Sequence, residues 1–62
     1  MNTLVIHYKG QDLIRFATDC SSIDNAISSL RIANFGNAGQ LVWFYLYSGN
    51  GRVIDSVSRI LN

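Results

Sequence analysis

The chain has no proline, one cysteine, one histidine and few charges. Cys20 alone cannot form an internal disulfide, and Cys20 with His7 cannot supply the four N or S ligands of a structural zinc site. The usual staples of a small domain are therefore missing. That matters at 62 residues, because so short a chain buries only about 60% of the surface its unfolded form exposes. A lone thiol fits a reducing compartment. Residues Met1 to Tyr8 show neither a basic n-region nor a long apolar h-region, so the expected location is the cytosol. No stretch approaches the roughly 18 apolar residues of a membrane span. With no proline, charge run, repeat or low-complexity tract, residues 1–62 read as a single domain without linkers.

Charge is as sparse as the staples. Five cations (Lys9, Arg15, Arg31, Arg52, Arg59) stand against four aspartates (Asp12, Asp19, Asp24, Asp55), a net charge of +1. That exerts no long-range pull on a polyanion. Hydrophobic residues make up 48% of the chain and charged ones only 15%. This composition belongs to a folded domain with more apolar surface than one small core can use.

What is present is pattern. Thr3 to Lys9 alternates, with Leu4, Ile6 and Tyr8 to one side and Val5, His7 and Lys9 to the other, as a strand does. Gly10-Gln11-Asp12 is a turn. Leu13 to Thr18 follows as a second strand, with Ile14 and Phe16 on one face and Leu13, Arg15 and Ala17 on the other. So short a turn predicts an antiparallel hairpin. Ser21 with Asp24 has the spacing of a capping box, and Ser22 is an equally good N-cap. Ile23, Ala26, Ile27, Leu30 and Ala33 then form one apolar stripe of a helix, which Gly36 ends. Gln40 to Tyr47 (QLVWFYLY) reads as the third strand, and Asn50-Gly51 is a hairpin signal. Arg52 to Ser58 is expected to be the fourth strand. The same segment carries helical spacing too, with Asp55 four residues before Arg59.

The expected fold is α+β, a four-stranded antiparallel sheet with one helix on one face in the order ββαββ. The alternative is ββαβα, with a C-terminal helix. In the first arrangement Val42, Phe44 and Leu46 meet the helix stripe. Leu41, Trp43, Tyr45 and Tyr47 then line a face for which the chain has no second layer. Arg15 is expected to flank that ladder. These five residues (Trp43, Tyr45, Tyr47, Leu41 and Arg15) are the candidate interface, because tryptophan, tyrosine and arginine are enriched where proteins meet.

Reaction chemistry has little to stand on. Cys20, His7 and an aspartate are the only Cys–His set available, and a domain of this size has little room for a substrate cleft. Gly36 to Gly39 and Ser48 to Gly51 are turns, since neither opens a helix with phosphate-loop spacing. No cofactor, metal or small-molecule substrate is expected, and no enzyme activity. Two readings of the aromatic face remain besides plain semi-buried packing. One is a protein interface, with a foreign partner or a second copy as a homodimer. The other is a stacking platform for single-stranded nucleic acid, helped by Lys9, Arg15 and Arg52; the lack of a basic groove argues against it. In length and missing chemistry the chain is similar to small phage- or plasmid-encoded inhibitors, anti-CRISPR proteins among them. That similarity implies a non-catalytic binding protein that occludes a site on a larger host complex.

Overall fold

In a computed structural model, described for residues 1–8, 13–29 and 39–60, the chain folds as a four-stranded antiparallel sheet with one helix. The elements are β1 (Asn2–Tyr8), β2 (Ile14–Thr18), α1 (Ile23–Ser29), β3 (Leu41–Tyr47) and β4 (Val53–Ile60). The order ββαββ is the expected one. The C-terminal segment is a strand, so the ββαβα alternative is set aside. Across the sheet the strands run β2-β1-β3-β4. The physical reason for the strand is the pairing partner. The turn after Tyr47 delivers Val53–Ile60 alongside β3, where its β-branched residues complete a ladder.

β1 pairs with both β2 and β3, antiparallel in each case. β2 and β3 therefore run parallel to each other with β1 between them, and the chain crosses the sheet through α1. This crossover puts the helix over one face. Leu4, Ile6, Val42, Phe44 and Leu46 are fully buried beneath it, against Ile23, Ala26 and Ile27. Ile14, Phe16, Cys20 and Val57 pack around that cluster.

The helix starts at Ser22, whose carbonyl accepts the Ala26 N–H at 2.9 Å and whose Oγ accepts the Asn25 N–H at 3.5 Å. The cap is thus Ser22 and not the Ser21–Asp24 box. The expected helix residues Leu30 and Ala33, the Gly36 cap and the Gly10-Gln11-Asp12 turn lie outside the described residues.

The β3–β4 connection is a three-residue loop. The Ser48 N–H donates to the Arg52 carbonyl at 2.7 Å, and the Gly51 N–H donates to the Ser48 carbonyl at 2.9 Å. Gly51 has φ 86°, the left-handed residue that follows a type I turn in such hairpins. The Asn50 Oδ1 accepts from both the Ser48 hydroxyl and the Arg52 N–H. Further along, β4 slips by one residue: Leu46 faces Asp55 but Tyr47 faces Val53, which leaves Ile54 as a bulge.

Candidate open sheet face

Strand alternation and register together define the face opposite the helix. Thr3, Val5 and His7 come from β1, Arg15 and Ala17 from β2, and Leu41, Trp43, Tyr45 and Tyr47 from β3. Ser56, Ser58 and Ile60 join from β4. All five residues of the candidate interface stand on this one face.

The rows across it follow from the pairing. Arg15, Val5, Tyr45 and Ser56 form the central row. Ala17, Thr3, Tyr47 and Val53 form the row toward the β3–β4 turn. His7, Trp43 and Ser58 form the row on the other side, and Leu41 with Ile60 ends the face. Trp43, Tyr45 and Tyr47 are half-buried, not exposed. No helix or second sheet among the described residues lies over them. Val5, beneath them, is only 5% exposed. Among the β3 and β4 residues of this face, the large apolar side chains that stand free are at the margins: Leu41 at 40%, Val53 at 56% and Ile60 at 66%.

Two details were not legible in the strand pattern. The His7 and Trp43 rings meet at 6.0 Å between centroids, tilted by 47°. The His7 Nδ1 is buried with no hydrogen-bond partner among the described residues. Secondly, a groove of about 540 Å³ opens beside Arg15 and Tyr47, floored by Thr3 and Val5 and walled by Met1, Leu13 and the Ser48–Gly51 turn. It runs the aromatic face into the hairpin, which sequence spacing alone could not place next to β2.

The sheet separates the groups that a nucleophilic site would need. Cys20 packs against the core on the helix side, and its backbone is held there by the Asn2 amide, which donates to the Cys20 carbonyl at 2.8 Å. His7 is on the other face. The one Cys–His pair in the sequence is therefore split by the sheet. Among the described residues no group of three His, Cys, Asp or Glu side chains could hold a metal ion, and no helix is long and apolar enough to cross a membrane.

Cations are also apart. Arg59 stands on the helix side, paired with Asp24 of α1, and Arg52 lies at the exposed end of the turn. Among the described strand residues, Arg15 is the one lysine or arginine on the open face. Set against family models, curated proteins and solved structures, the chain matches none of them.

Proposed function

We propose that the protein is a non-catalytic binding module that engages another protein through the open face of its sheet. The observation that carries this reading is the packing of that face. Val5 is buried and three aromatic side chains are half-buried on a side that no helix among the described residues covers. Such a surface is already ordered, so little side-chain entropy is lost when a partner arrives. The rings still offer polar edges and apolar area to the partner, which is the chemistry of interface hot spots.

A protein partner suits the face better than nucleic acid does. Phosphate contacts need several cations along a groove, whereas the described strands bring only Arg15 to this side. The mode of action that fits is occlusion: the module covers a site on a larger assembly, in the manner of small phage-encoded inhibitors.

The test compares immobilised wild-type protein with Tyr45→Lys, Leu41→Lys and the helix-surface control Ser28→Lys, using extract of the cells that carry the protein. The proposal expects one protein retained in stoichiometric amount by wild type and by Ser28→Lys, and lost with both open-face variants. Retention that is indifferent to Tyr45 and Leu41 sinks it. So does retention of nucleic acid that falls steeply with salt.

A further inference from the structure

β4 is an edge strand of eight residues, Val53 to Ile60, with β3 on one side and no strand among the described residues on the other. Edge strands carry a row of free N–H and C=O groups, and proteins usually blunt them with proline, lysine or an early bulge. This chain has no proline, its one lysine is Lys9, and the bulge sits at Ile54, before the regular run begins. From Asp55 to Ile60 the register with β3 is regular. Asp55 and Arg59 lie along this edge, and the Asp55 carboxylate accepts the Ser56 N–H at 2.8 Å, a contact that a pairing strand would replace.

The side chains along it are arranged symmetrically. Read from Ile54 to Ile60, the segment is Ile-Asp-Ser-Val-Ser-Arg-Ile, which reads the same from either end once an aspartate is matched with an arginine. We propose that β4 pairs antiparallel with β4 of a second copy, about a two-fold axis at Val57, to make one continuous sheet across two protomers. In that register Val57 faces its own copy, Ser56 faces the partner's Ser58, and Asp55 faces the partner's Arg59. The regular ladder ends at Asp55, so the partner's Ile60, exposed in one protomer, comes up to Ile54 at the bulge.

Facing residues of antiparallel strands share a sheet face, and here the faces agree. Val57 packs toward the core and Arg59 toward Asp24, so Val57 and both charged pairs fall on the helix side. The serines fall on the open face, beside Tyr45 and Trp43. A partner's Asp55 would arrive next to an arginine already oriented by Asp24. Displacing the register by one residue sets each charge against a serine or an isoleucine. Parallel in-register pairing sets aspartate on aspartate, which is destabilising. The other edge has no such symmetry: pairing β2 with itself about Phe16 puts Arg15 against Ala17. The matched edge is isologous and closes as a dimer. It leaves the open face uncovered, so it goes beyond the binding role proposed above and does not depend on it.

Two charge reversals test this. Asp55→Arg leaves the Asp24–Arg59 pair intact, and Arg59→Asp is its complement. Light scattering on the wild type, taken from micromolar to millimolar concentration, is expected to show the 6.9 kDa chain mass double. Each variant alone would set like charges opposite at two positions, raise the dissociation constant about ten-fold or more and return the mass to that of one chain. An equal mixture of the two variants restores every opposite-charge pair and recovers the doubled mass. A wild type that stays at single-chain mass throughout, a dimer that survives both reversals, a mixture that fails to pair, or a mass that climbs past two chains would each overturn the proposal. If Arg59→Asp loses its fold by circular dichroism, Asp55→Arg alone decides.

Discussion

Val5 lies directly across from Tyr45 at the centre of the sheet face opposite α1, and it is nonetheless buried. Arg15 faces it from the other neighbouring strand. Among the described residues, Val5 and the side chains facing it across the strands form a second, shallow packing layer on this face. Replacing Val5 with alanine removes two buried methyl groups and should cost about 1–2 kcal/mol. Denaturant unfolding of Val5→Ala beside Thr3→Ala checks this, the second being expected to fall within about 0.5 kcal/mol of wild type. Equal effects would mean the open face has no packing of its own.

The core under the helix has far less tolerance. Phe44 is fully buried across from Ile6 and Val57, and truncating a buried phenylalanine to alanine costs about 3–5 kcal/mol. A core of this size rarely supplies more than about 3–5 kcal/mol in total. Phe44→Ala should therefore be largely unfolded at room temperature, read by loss of near-ultraviolet circular dichroism. Phe44→Leu keeps most of the volume and should fold.

His7 offers a gain. Its Nδ1 is buried without a partner among the described residues, and an unmet buried polar atom costs about 1–3 kcal/mol. Phenylalanine has nearly the same shape and keeps the contact with Trp43. His7→Phe is expected to be neutral or to raise the melting temperature, whereas a drop of several degrees would show that the nitrogen is satisfied in solution.

Gly51 tests the hairpin. A methyl group added at its Cα would meet nothing within 4 Å, so the cost of alanine is purely that of the left-handed backbone at φ 86°. That amounts to about 1–2 kcal/mol, and Gly51→Asn should recover part of it. An unchanged Gly51→Ala melting curve would contradict the three-residue loop.

Much of this fold could be read from the sequence because local and long-range signals agreed. The alternation in Leu41–Tyr47 fixed both faces of β3, and the Ile23, Ala26 and Ile27 spacing fixed the buried side of α1. The turn before β4 resolved a segment whose own spacing also suited a helix, since a strand delivered beside β3 gains a ladder that a helix could not. Strand order was less accessible. That β1 sits between β2 and β3 depends on where the helix crosses, and no single residue encodes it. The same holds for the groove between Arg15 and the Ser48–Gly51 turn, which exists only once β2 and the hairpin are brought to one end of the sheet. The extent of aromatic exposure was also hidden, because it depends on register as well as on alternation.

The central claim is that the open face stays available while the fold, and any pairing through β4, is complete. Quenching of Trp43 fluorescence by a neutral quencher, measured with solution mass along a dilution series, addresses it most directly. The account predicts the same moderate quenching in single chains and in dimers, with no shift in emission. Emission that moves to the blue and loses its quenching as the mass doubles would mean that a second copy covers Trp43, and the binding face would have to be sought elsewhere.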